Sequence, residues 1–440
     1  MKRTRISRPT VPSHGAARHR TRVRLAAVAA LSASLFTVAA CGSGDDDSGG
    51  TTATSGAGTA DASDVLGPSA PAKGDPVRIG IISDGKGPVS DLAYESRVAD
   101  ATIAYLNEHH SGIAGRPISL VKCETLADPG KGTDCANRMV EEDVVAVVVG
   151  SSSVGESIWE PLHQAKIPLM FANTTATGPL KDADTTFNLT DPYFGQINLP
   201  ADKAKEAGVR KVTAVVIDVP TATAFYKSIA PRMFEEKGLT LDVVAVPAGT
   251  ADMTAQMQDI ASGDPGVVSI IGGDSFCISA LNGLRAVGYE GPTVAIGLCI
   301  TDATRKAVPA STLRGMSVSA TAPIGTDNPS TRLLQAVVST YGHDIDVRRA
   351  GTMSMFTVVA AFGAAVEKLT GDVTAASVTA AIKAMPAQEL PGAEGLSFRC
   401  NGKAYPEQPA VCVRGGLVAT LDDKGQPGGY TPVGVSAIED

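Results

Sequence analysis

The chain has 440 residues, with 38 basic and 46 acidic side chains and a formal net charge of −8. Eight of the basic residues stand before Leu25 in a leader, so the remainder carries 30 basic against 46 acidic side chains, a net charge of −16. An acidic body of this kind lacks the electrostatic footprint of a nucleic-acid binder.

The leader carries Lys2, Arg3, Arg5, Arg8, Arg18, Arg20, Arg22 and Arg24, with no acid before Asp45. Residues 25–40 follow as 16 uncharged small and apolar side chains, short of the roughly 20 that a spanning helix requires. Basic head, short apolar run and small residues before a cut site describe a secretory signal over 1–40. Val38-Ala39-Ala40-Cys41 resembles the bacterial lipobox, in which the cysteine is acylated and begins the mature chain. A plain signal peptide cut near Ala40 is the alternative. The stretch from Gly42 to Gly74 is mostly Gly, Ser, Thr, Ala and Asp; residues 41–75 therefore read as a lipidated cysteine plus a flexible tether, with a reach of about 30 Å.

From Asp75 onward the pattern alternates strand and helix. Val77–Ile82 is a strand ending at an Asp-Gly turn, and Asp91–Glu108 carries Leu92, Ala99, Ile103 and Leu106 at helical spacing. Strand 118–123, helix 132–142, strand 144–149, helix 155–165 and strand 167–171 follow. A second run of the same rhythm has strands at 212–217, 241–246, 267–271 and 293–296, with helices at 223–237, 254–261 and 279–288. Helices at 330–341, 352–369 and 375–385 come next, and a Gly- and Pro-rich tail from Gly395 reads as a hairpin or loop. Continuous apolar strands between amphipathic helices imply parallel sheets covered on both faces. The fold class is therefore α/β with two doubly wound lobes.

Apart from Cys41 there are six cysteines: Cys123, Cys135, Cys277, Cys299, Cys400 and Cys412. In an exported chain these read as disulfides, for which fifteen pairings are open. Their spacing in twos favours Cys123–Cys135, Cys277–Cys299 and Cys400–Cys412. Zinc would be the alternative, but no CxxC pair occurs and no histidine stands beside a cysteine, so neither metal nor cofactor is expected.

Three polar clusters fall at strand ends. Gly85-Lys86-Gly87-Pro88 opens a helix without the third glycine of a dinucleotide fingerprint; Gly87 then marks a helix start that presents N–H groups. Gly150-Ser151-Ser152-Ser153-Val154-Gly155 lacks the first glycine of a hydrolase elbow, and no late histidine completes a triad, so enzyme chemistry is set aside in favour of a cradle at Ser152 and Ser153. Asn173, Thr174, Thr175 and Thr177 form the third cluster. Two such clusters on neighbouring strand ends converge on one crevice, which argues for a small polar ligand.

The ordered segments VRIGIISDGKGP, YLNEHHSGIAGRPISLVKCE, VVAVVVGSSSVGES, IPLMFANTTAT, GVRKVTAVVIDVPTATAF and VVSIIGGDSFCISALNGLRAVGYEGPTVAIG resemble the solute-binding proteins of branched-chain amino-acid (Leu/Ile/Val) ABC transporters. The resemblance implies the type I periplasmic-binding fold with three hinge crossings: one lobe from 76–190 and 323–386, the other from 191–322 and 387–440. It implies that Ser152, Ser153 and Thr174, Thr175 or Thr177 hold a ligand carboxylate. On the opposite lobe the aromatic expected after Asp218 is replaced by Thr221-Ala222-Thr223, with Phe225 the first aromatic. Asp274-Ser275 stands where a second aromatic is expected, and Cys299 where an acid would meet the ligand ammonium. Thr223, Asp274 and Ser275 are the candidates there, with Asp274 supplying the charge. The expectation is a monomeric receptor, lipid-anchored on the extracytoplasmic face of the cell membrane, that delivers its ligand to an ABC permease; the alternative is a sensor of the same fold signalling to a membrane partner.

Overall fold

Residues 62–87, 91–325 and 327–439 are described by the computed structural model of the chain. Cys41, its leader and most of its tether lie outside them. The apolar run β1 (Val77–Ser83) is buried except at Arg78. It pairs in parallel with β2 (Ile118–Glu124) on one side and β3 (Val147–Val149) on the other, and β4 (Leu169–Phe171) and β5 (Thr186–Asn188) extend the sheet to the order β2-β1-β3-β4-β5.

The central strands β3 and β4 are apolar throughout because both of their faces are covered. Val148 and Met170 point into a core with helices Tyr94–His109, Pro329–Tyr341 and Ala350–Val366. Val147, Val149, Leu169 and Phe171 point the other way, onto helices Pro129–Glu141 and Gly155–Gln164. The helix Ala350–Val366 is buried nearly all round, which is why its apolar pattern shows no polar face.

The second sheet begins with β6 (Lys211–Asp218), β7 (Thr240–Pro247), β8 (Val267–Ile271), β9 (Thr293–Ile296) and β10 (Ser317–Ala320), all parallel. After a short pair, β11 (Gln388–Glu389) and β12 (Ser397–Phe398), the chain ends in β13 (Gly416–Leu421) and β14 (Pro427–Val433). These last two join antiparallel at the β10 edge, giving β14-β13-β10-β9-β8-β6-β7. The short strands β5 and β10 carried too few apolar residues to stand out in the sequence. The helix expected over 223–237 is two helices, Pro220–Ser228 and Ala230–Glu235, interrupted before Pro231, whose missing N–H and ring break an α-helix.

The chain passes between the sheets three times. It leaves the first lobe after β5, where Phe194 and Ile197 join the second core, and returns after β10, where Ala322 joins the first. The third passage follows a segment, residues 388–413, that lies against the first sheet. Leu390, Ala393, Leu396, Phe398, Cys412 and Val413 pack into the first core, and Val411 bridges in parallel to Asn188 of β5. Residues 388–413 thus pack against the first sheet, where the Asn188 N–H donates to the Ala410 carbonyl and the Cys412 N–H to the Asn188 carbonyl along the free edge of β5. This segment also braces the first passage: Tyr405 donates to Asp191 Oδ2 (2.6 Å) and Gln408 Nε2 donates to Tyr193 Oη (2.6 Å). Disulfides join Cys123 to Cys135, Cys277 to Cys299 and Cys400 to Cys412.

Candidate ligand site at the strand ends

Strand register brings five chain exits of the first lobe to one level. Ser83 pairs with Glu124, Ile82 with Val149, Val149 with Phe171, and Phe171 with Asn188. Asp84, Thr125, Gly150, Ala172 and Leu189 therefore leave the sheet side by side, at the carboxyl ends where open α/β sheets take their ligands.

At the centre stands Asp84, a residue 6% exposed that the sequence presented only as part of an Asp-Gly turn. Its Oδ1 accepts from Thr125 Oγ1 (2.5 Å) and Ser152 Oγ (2.9 Å); its Oδ2 accepts from the Ser153 N–H (2.9 Å) and Ser153 Oγ (2.8 Å). The expectation that Ser152 and Ser153 give their protons to a ligand carboxylate thus meets a structure in which both protons go to a carboxylate of the protein itself. Beside it, fully buried Glu95 accepts from the Ser151 N–H (3.1 Å) and Ser151 Oγ (2.6 Å). Burial pushes the Glu95 carboxyl above its usual range and Asp84 adds to that, while hydrogen bonds from Ser151 and Ser83 pull the other way. Gly150 permits this approach: a Cβ there would run into Met355 and Glu95. The signal for Glu95 was weak because it lies in the first turn of an amphipathic helix, where an acid is ordinary.

The second cluster abuts the first. Gly155, which opens the helix after the serines, leaves no room for a side chain, since a Cβ would sit 2.8 Å from Thr174 Oγ1. Thr174 is buried; its N–H donates to Asn188 Oδ1 (2.9 Å) and its hydroxyl accepts from the Ala176 N–H (3.2 Å). Asn173 is exposed and its Oδ1 accepts from Thr190 Oγ1 (2.8 Å); Thr175 and Thr177 are exposed. Gly87 lies against the Leu126 carbonyl, but the helix start expected at Pro88 falls in residues outside those described, and the helix that follows begins at Tyr94.

On the second lobe Asp274 opens the helix Asp274–Ala286 directly after β8. Its Oδ1 accepts from the Ser275 N–H (2.7 Å) and its Oδ2 from Thr301 Oγ1 (3.2 Å), which ties the turn after β8 to the turn after β9. The Cys277–Cys299 disulfide joins that helix to the turn after β9, in which Leu298 stands 71% exposed. Ser275 is exposed. Thr223 is buried on the helix Pro220–Ser228 and donates to the Val219 carbonyl (2.9 Å), while Phe225 stacks on Tyr193. Among the described residues no group of three or more His, Cys, Asp or Glu could hold a metal ion, and no helix is long and apolar enough to cross a membrane.

A family model described as periplasmic binding protein matches residues 76–416. The chain belongs to the periplasmic binding protein family. Solved structures with its two-lobed α/β fold include an ABC transporter substrate-binding protein from Sphaerobacter thermophilus, at 18% identity over 82% of this chain and 97% of that one, with a TM-score of 0.63. The branched-chain amino acid transporter substrate binding protein of Streptococcus pneumoniae, in complex with isoleucine, matches at 16% identity over 82% and 99%, with a TM-score of 0.59. A branched chain amino acid ABC transporter from Thermus thermophilus with bound valine matches at 16% identity over 84% and 98%, with a TM-score of 0.62. No curated relative matches the chain. As a periplasmic binding protein of the type I fold, the chain is of an extracytoplasmic, solute-binding class.

Proposed function

We propose that this periplasmic binding protein is held at the outer face of the cell membrane by a lipid on Cys41, captures a small polar, amino-acid-like solute between its lobes, and hands it to an ABC permease without chemical conversion. The observation that carries the reading is the family match across both sheets combined with two polar clusters, Asp84–Ser152–Ser153 and Asn173–Thr174, meeting at one level of the first sheet. Asn173, Thr174, Thr175, Thr177 and Gly87 line the first-lobe side of the proposed site; Thr223, Asp274 and Ser275 are its counterparts on the second. Hinge closure over three crossings would enclose the solute and create the surface presented to the permease. Valine- and isoleucine-bound proteins of the same fold support an amino-acid-like ligand. The test is a thermal-shift screen of the purified chain against amino acids, amines, organic acids and small polyols. A ligand present at about a hundredfold its Kd stabilises by about 2.7 kcal/mol, so a true ligand raises the melting temperature by several degrees. A full screen without a shift would refute the receptor reading.

A further inference from the structure

We infer that the seat formed by Asp84, Ser152 and Ser153 receives a hydrogen-bond donor, a ligand ammonium or guanidinium, and not the carboxylate that such serines suggest. The inference rests on the binding reading above and specifies which group of the solute meets this lobe. It follows from counting protons. A serine hydroxyl has one proton and two lone pairs. The Ser152 and Ser153 protons, the Ser153 N–H and the Thr125 proton all go to the two oxygens of Asp84. The Val154 N–H is also engaged, on Ser152 Oγ (3.3 Å). What these hydroxyls retain for a ligand is oxygen lone pairs, and Ser153 is exposed at the strand ends to offer them. A ligand carboxylate placed there would face acceptors backed by a buried negative group; an ammonium would find acceptors and a countercharge together.

The surrounding charges leave that countercharge unclaimed. Among the described residues neither Asp84 nor Glu95 forms an ion pair with a lysine or arginine. Lys122 is held by Asp100 (2.5 Å), Arg138 donates to the Lys122 carbonyl, Lys86 pairs with Asp91, and Arg349 sits over the Tyr94 ring at 4.7 Å. Glu124 adds a further acid at the same level, lying over Gly85. Next door, the first turn of the helix Gly155–Gln164 keeps N–H donors beside Thr174, as every helix start does. Acceptors and donors thus lie side by side within one lobe, the polarity that a zwitterion requires.

The experiment is calorimetric titration of the full chain with valine and arginine, with isobutylamine, agmatine and putrescine as amines lacking a carboxylate, and with isovalerate and succinate as acids lacking an ammonium. The same titrations are repeated on Asp84→Asn and Ser153→Ala, with melting curves to verify that each variant is folded. The expected result is binding by one or more amine-bearing probes, weakened about tenfold or more in Asp84→Asn and less in Ser153→Ala, with any acid-only binding unchanged or strengthened. Binding by the acids alone, or amine binding that a folded Asp84→Asn variant retains in full, overturns the inference and leaves the receptor reading standing. Binding by no probe of either class overturns both. If Asp84→Asn does not fold, the comparison of amines with acids on the unaltered chain decides the matter.

Discussion

Asp182 joins the helix Thr177–Lys181 to β5, and its carboxyl is almost wholly enclosed. Oδ2 accepts from Thr186 Oγ1 (2.6 Å), Thr185 Oγ1 (3.0 Å) and Trp159 Nε1 (3.0 Å), with His163 Nδ1 also at 3.0 Å; Oδ1 accepts from the Asp184 N–H (2.8 Å) and the Thr185 N–H (3.3 Å). In Asp182→Asn one oxygen becomes an NH2 group, so two or more donors face another donor. Hydrogen bonds to a charged acceptor contribute about 1.5–3 kcal/mol each, so the variant should lose about 3–6 kcal/mol. At about 2 °C per kcal/mol for a large domain, the melting temperature should fall by about 6–12 °C. Burial pushes this carboxyl up, but the hydroxyl, indole and backbone donors outweigh it and hold the folded-state value well below the usual range. The stabilisation is therefore complete above the unfolded value of about 3.9 and is lost as pH falls through the folded one. Urea titrations followed by Trp159, the one tryptophan of the chain, report on the site directly. The gap between wild type and Asp182→Asn should narrow below about pH 3.9. A loss under about 1 kcal/mol at pH 7, or a gap that stays constant down to pH 2, would refute the reasoning.

Two further outcomes are expected. Gly150→Ala sets a methyl group against Met355 and 2.7 Å from Glu95 Oε2, so it should cost about 1–3 kcal/mol in urea titration; a neutral effect would mean that the helix Ala350–Val366 is not seated against the serine loop. Cys41→Ala should abolish metabolic labelling with palmitate and move the protein from the membrane to the soluble fraction. Retention of label would place the acylation elsewhere.

The two-lobed architecture was legible because it depends on local pattern. Runs such as Val147–Val149 and Leu169–Phe171 are apolar at every position because both faces are covered, and that continuity survives without any tertiary information. The disulfide partners stood close in the chain, and short loops bring such pairs together by geometry alone. Elements whose identity depends on a distant partner were not legible. The bridge between Val411 and Asn188 is one: it forms at the open edge of β5, 223 residues back in the chain, and no local pattern at 411 announces it. The strand β10 is four residues long and is a strand by virtue of lying between β9 and β13.

The candidate site divides in the same way. By itself the sequence determined where polar loops occur, since Ser151–Ser153 and Asn173–Thr177 follow apolar strands and must emerge at their ends. It also determined the family resemblance, which is carried by the order of those segments. Only the tertiary structure decided what the serines face. Asp84 and Ser153 are 69 residues apart in the chain, and their meeting depends on the parallel pairing of β1 with β3, which no local pattern encodes. The contacts of Asp84 with Ser152 and Ser153 turn two hydroxyl donors into acceptors, because each hydroxyl has a single proton to give and the fold has already directed it inward.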